Sequence, residues 1–136
     1  MGSCTVIVID THVLIWWLSD PARLSPAARL ALDTAKASRP AILSAISVLE
    51  IVTAVRRGRL AFRQPVQHWL DAARGLPELA IEPVSADIAA LAGSYGDALH
   101  GDPADRLITA TAALLGAQLI SADEKLRAQN VVPVLW

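Results

Sequence analysis

"VIVIDTH" occupies residues 6–12, where four β-branched apolar residues in a row end on a carboxylate, a hydroxyl and an imidazole. A run without polar alternation suits a strand covered on both faces, as in a parallel sheet flanked by helices. Such sheets place their ligand sites just beyond the carboxyl ends of the strands, near the point where strand order reverses. Burial of Val6 to Ile9 therefore predicts that Asp10 is delivered to that rim. Asp10 equally suits the N-cap of the helix that follows, so any further role has to come from its company.

Outward from this strand, which the sequence extends back to Thr5, β and α patterns alternate. "THVLIWWLSD" (11–20) reads as a helix stopped by Asp20-Pro21, and a second helix runs from a Ser25 cap to about Ala37. "PAIL" (40–43) is a strand, followed by a helix from Ser44 or Ser47 to Gly58. Another helix, Pro65 to Arg74, leads to a strand over 79–84 and a helix capped by Ser85 to about Ala92. After a glycine-rich loop (93–103) come a helix from Pro103 to Gly116, a strand ending near Ser121 and a short helix over 124–130. The strand "VVPVL" (131–135) closes the chain, and Pro133 marks it as an edge. This is the pattern of one α/β domain over residues 1–136, an α/β/α sandwich with a four- to five-stranded, mostly parallel sheet.

Composition narrows the class. Twelve basic against 13 acidic residues give no global attraction to nucleic acid, so any such partner must be argued from local sites. The apolar fraction of 54% exceeds the usual 45–50% or so, which implies either an Ala-rich core or an interface. Asp10, His12 and Asp20 interrupt the first apolar run, so no membrane span is expected. The single Cys4 excludes an internal disulfide, no secretory signal is evident, and Val6 stands where a myristoylation pattern wants Ser or Thr; a cytoplasmic protein is expected.

The acids fall at telling places. Asp10 and Asp123 follow strand ends, Asp102 and Asp105 lie where a loop enters a helix, and Glu50 interrupts the otherwise apolar "SVLEIVTAV". A carboxylate inside an apolar helix is costly unless it is paired, metal-bound or lining a wet cleft. Convergence of these acids would generate repulsion, with only Arg106 nearby to offset it, and a divalent cation is the natural remedy. All-oxygen ligation suits Mg²⁺ or Mn²⁺; zinc would want His or Cys, of which only His12 and His100 are near.

Four segments carry a resemblance: "VIVIDTHVLIWWL" (6–18), "SAISVLEIVTAVRRGRL" (44–60), "HGDPADRLITATA" (100–112) and "LISADEKL" (119–126). In order and spacing the chain resembles PIN-domain ribonucleases, and more narrowly the VapC-type toxins of bacterial toxin-antitoxin pairs. The resemblance implies a PIN-like (Rossmann-like) fold and catalytic, metal-binding acids at Asp10, Glu50, Asp105 and Asp123, with Asp102 a weaker member. It implies supporting hydroxyls at Thr11, Ser47 and Ser121, and a phosphate contact or an acid pairing for Arg106. His12 and His100 are left between substrate contact and ordinary loop hydrogen bonding.

The implied activity is endonucleolytic hydrolysis of RNA phosphodiester bonds by a metal-activated water. Arg56, Arg57 and Arg59 in "RRGR" (56–59) are candidates for gripping RNA, or else cations favoured by a helix end. The adjacent Trp16 and Trp17 diverge by about 100°, so at most one is deep in the core; with Phe62 and Trp69 they suggest a sticky groove. The resemblance supplies a VapB-type antitoxin for that groove, a homodimer and a toxin-antitoxin hetero-oligomer. Rival readings fit less well. A receiver-like signalling domain wants paired acids after its first strand, and a haloacid-dehalogenase-like phosphatase wants Asp-x-Asp where this chain has Asp10-Thr11-His12. A catalytically idle PIN-fold binding module is disfavoured by the complete set of acids.

Overall fold

The computed structural model describes residues 6–97, 99 and 101–136. Among the described residues five strands form one sheet: β1 (Ile7–Ile9), β2 (Ala41–Ser44), β3 (Leu79–Glu82), β4 (Gln118–Ile120) and β5 (Val134–Leu135). Their order is β3-β2-β1-β4-β5 and every pairing is parallel. The chain steps outward from β1 to β2 and β3, then returns to the other side of β1 for β4 and β5. Strand order thus reverses between β1 and β4, where a crevice opens at the carboxyl ends. The ladder reaches the first acid itself, for the Asp10 amide donates to the Ile120 carbonyl at 3.0 Å.

Period-two geometry explains the unbroken apolar run. Ile7 and Ile9 point into a core with Leu43 and Ile120 beneath α1 (Thr11–Ser19), α2 (Pro26–Asp33) and α4 (Val66–Arg74). Val8 and Leu119 point the opposite way, onto Ile108 and Ala112 of α6 (Pro103–Leu114) and Leu126 of α7 (Glu124–Ala128). α5 (Ala86–Ser94) packs on α6 through Ile88, Ala92 and Ala110, and α3 (Ala45–Arg56) buries Ile51 near β2.

Side-chain caps start most helices where the sequence placed them. Ser25, Ser44 and Ser85 accept from the amides of Ala28, Ile46 and Ile88. Boundaries differ where local competition decides. α2 stops at Asp33, short of Ala37, because Thr34 turns its hydroxyl onto the Ala31 carbonyl and Lys36 bridges back to Arg39 ahead of Pro40. α5 runs two residues further than expected, to Ser94, and β5 keeps only Val134–Leu135 because Pro133 has no amide to donate. A 3₁₀ turn over Pro21–Arg23, not foreseen, follows α1. Among the described residues no helix is long and apolar enough to cross a membrane.

Candidate metal centre

Each acid owes its position to a local motif. Asp10 caps α1, accepting from the Thr11 amide at 2.7 Å through Oδ1, while its Oδ2 accepts from the Ser121 hydroxyl at 2.7 Å. Asp123 caps α7 through the Lys125 amide at 2.8 Å, and its own amide donates to Ser121 Oγ at 3.0 Å. Asp102 caps α6, and Asp105 sits one turn into that helix, where the positive end of the peptide dipoles favours a carboxylate. Capping and clustering are therefore compatible: a carboxylate has two oxygens, and the cap uses one.

Glu50 is oriented differently. The Thr11 hydroxyl donates to Glu50 Oε1 and lies 2.7 Å from Ser47 Oγ. Since the single Thr11 proton is directed at Glu50, Ser47 donates to Thr11, and the chain Ser47–Thr11–Glu50 runs one way. Thr11, Ser47 and Ser121 are all buried, so this network ties α1, α3 and the end of β4 together away from competing water.

Asp10, Glu50, Asp102, Asp105 and Asp123 line one cavity of about 470 Å³, with His12, Trp16 and Arg23 on its walls. The electrostatics register the crowding. Burial raises the Asp10 carboxyl above its usual range, against the pull of its Ser121 and Thr11 hydrogen bonds. Burial also raises Glu50, opposed by Thr11 and reinforced by Asp10 and Asp102. Asp105 is pushed up to about 7, by burial first and then by the charges of Asp10, Asp102, Asp123 and Glu50.

Among the described residues no three of these acids stand close enough to grip an ion as they are. Drawing them inward needs a counter-charge. The lining offers five carboxylates, with the His12 imidazole on its wall, and the raised Asp105 marks a buried carboxyl among four other acids whose charge a cation would offset, so the residues present fit a hard divalent ion.

Other residues lie as follows. His12 is exposed on the cavity wall, and His100 falls outside the described residues. The Arg106 guanidinium donates to the carbonyls of Ala92, Tyr95, Gly96 and Leu99, closing the α5–α6 loop on itself. Arg57 and Arg59, but not Arg56, line a second cavity of about 700 Å³ between α1 and α3. Trp16 and Trp17 are both half-buried, in keeping with their divergence on one helix. Arg23 was missed from sequence because the Asp20-Pro21 break hides that its side chain returns to Trp16, whose ring centroid lies 4.6 Å from the guanidinium carbon.

Residues 7–131 match the PIN domain family. The chain is 36% identical over 127 residues to Ribonuclease VapC22 of Mycobacterium tuberculosis, covering 93% of each protein. Among solved structures, VapBC2 from Rickettsia felis bound to a promoter DNA fragment superposes with a TM-score of 0.70 at 16% identity, over 96% of this chain and 98% of that one. A toxin-antitoxin complex from Klebsiella pneumoniae superposes with a TM-score of 0.65 at 22% identity, over 96% of both chains. Matched by family, by relative and by fold over nearly its whole length, the chain belongs to the PIN-domain family, in its VapC branch.

Proposed function

We propose that this protein is a divalent-cation-dependent endoribonuclease, the toxin of a toxin-antitoxin pair, with Asp10, Glu50, Asp105 and Asp123 as the ion's ligands and Asp102 as an auxiliary. The observation that carries this reading is the gathering of these five acids around one cavity, with Asp105 held at about 7 by burial and the other four. The VapC22 relative, named a ribonuclease, supports the activity. The toxin-antitoxin structures that share the fold support a cognate antitoxin as partner. Held by these acids, Mg²⁺ or Mn²⁺ would supply a more acidic water and positive charge for the leaving oxygen of a phosphodiester.

The chain's own residues prepare that chemistry. Ser121 and the Thr11 amide hold both Asp10 oxygens, so this carboxylate needs little reordering. Ser47, acting through the Thr11 hydroxyl, holds Glu50 in place. In the ion-free chain, burial and the neighbouring acids raise the Asp105 carboxyl, a charge penalty that a bound divalent ion would remove. Arg57 and Arg59 supply positive charge beside an otherwise negative site.

The test is incubation of total RNA with purified, partner-free protein and Mg²⁺ or Mn²⁺, followed by mapping of new 5′ ends. Discrete cuts that disappear with EDTA and with Asp10→Asn are expected. Absence of cutting by folded, ion-binding protein would remove the reading.

A further inference from the structure

The turn Pro21–Arg23 places a cation at an unusual spot. Arg23 lines the acid cavity and also the larger groove between α1 and α3, so it stands where the two meet, together with His12, Trp16 and Glu50. Five carboxylates surround the first cavity, yet among the described residues none forms an ion pair with Arg23. The guanidinium instead lies over the Trp16 ring, 4.6 Å from its centroid, and Trp16 is itself braced by the rings of His12 at 5.9 Å and Trp136 at 5.7 Å.

A cation–π contact holds the guanidinium without consuming its N–H donors, and a guanidinium can give two of them to two oxygens of one phosphate. For a polyanion with one phosphodiester at the acids, the way from this cavity into the larger groove leads past this wall. Beyond it the groove continues for about 700 Å³ and carries Arg57 and Arg59 beside Ile15 and Leu60. A single strand fits such a cleft, because its backbone can bend between successive cations while its bases contact apolar walls.

We propose that Arg23, pinned over Trp16, is a positioning residue that grips the RNA phosphate next to the scissile one and directs the single strand into the α1–α3 groove, toward Arg57 and Arg59. This rests on the endoribonuclease reading above. Arg23 acts on substrate placement and leaves the bond-breaking step to the acids.

The experiment is steady-state cleavage of the transcript most cut in total RNA, across a salt series, by wild type, Arg23→Gln, Arg23→Lys and Trp16→Leu, each checked for an unchanged melting profile. Arg23→Gln should raise KM about tenfold with kcat within about twofold, and should lower the steepness of the log–log salt dependence by about 0.7, the value of one phosphate on a single strand. Arg23→Lys, which keeps the charge and the fold, should recover the salt slope but only part of KM; Trp16→Leu should raise KM about threefold through a loosened guanidinium. Unchanged KM and salt slope in Arg23→Gln, with wild type active, would overturn the inference alone. Normal RNA kinetics combined with escape from a co-expressed antitoxin would also overturn it, assigning Arg23 to a protein partner. An inactive wild type would instead bring down the nuclease reading, and this inference with it.

Discussion

Asp105 is where burial, dipole and neighbouring charge meet, and it sets the pH behaviour of the ion-free protein. In the unfolded chain it ionises near its ordinary value of 3.8, whereas in the folded chain it holds its proton up to about 7. Folding therefore favours the protonated carboxyl, and this contribution is complete below about pH 4 and lost as pH rises through about 7. Asp10 and Glu50, both raised, act in the same direction. Chelator-treated protein should melt at progressively lower temperature from about pH 4 to about pH 7 and level off above it, and Asp105→Asn should flatten that fall and melt higher than wild type at the alkaline end. Parallel melting curves for the two proteins across the range would show that Asp105 does not carry this charge penalty. Divalent cation added at the alkaline end should restore the wild type more than the variant, since a ligand that binds only the folded form stabilises it.

At the scale of elements, two helices end in the same way. α3 closes with Gly58 at φ +73°, where the Arg59 amide bonds the Ala54 carbonyl at 2.9 Å; α6 closes with Gly116 at φ +62°, where the Ala117 amide bonds the Ala112 carbonyl at 2.8 Å. Both are six-to-one closures around a left-handed residue that glycine adopts without steric cost. The first turns Arg59 toward the α1–α3 groove, and the second feeds the chain into β4. Nothing lies within 4 Å of a Cβ built on Gly116, so Gly116→Ala carries a backbone cost only. A loss of about 1 kcal/mol is expected, read as a lower urea midpoint with unchanged slope; Gly116→Asn should lose less. The arginines after α3 and the glycines after both helices were legible because termination is local chemistry. The 3₁₀ turn and the Arg23–Trp16 contact were not, because they arise where a helix stops and the chain folds back over it.

For the whole molecule, β1 is the hinge of the design. Its residues face both halves of the core, it pairs with β2 and β4, and it ends on Asp10. Ile9 is completely buried there, so Ile9→Ala should cost about 3 kcal/mol in urea unfolding, a large share of a typical domain's stability. A change under about 1 kcal/mol would mean that the core around β1 refills the space. The sequence by itself determined the alternation of buried strands and helices, the parallel sense of the sheet and the placing of Asp10, Asp102, Asp105 and Asp123 at strand ends or helix starts. Those features follow from side-chain periodicity, capping and turn chemistry, which act over a few residues. Only the tertiary structure decided that Ser121 reaches Asp10 across 111 residues of chain, that Asp105 is pushed to about 7 and that Arg23 stands between two cavities. Each of these is a matter of distance between elements remote in the chain, and Coulomb energy, desolvation and hydrogen bonding depend on that distance and on the water excluded around it.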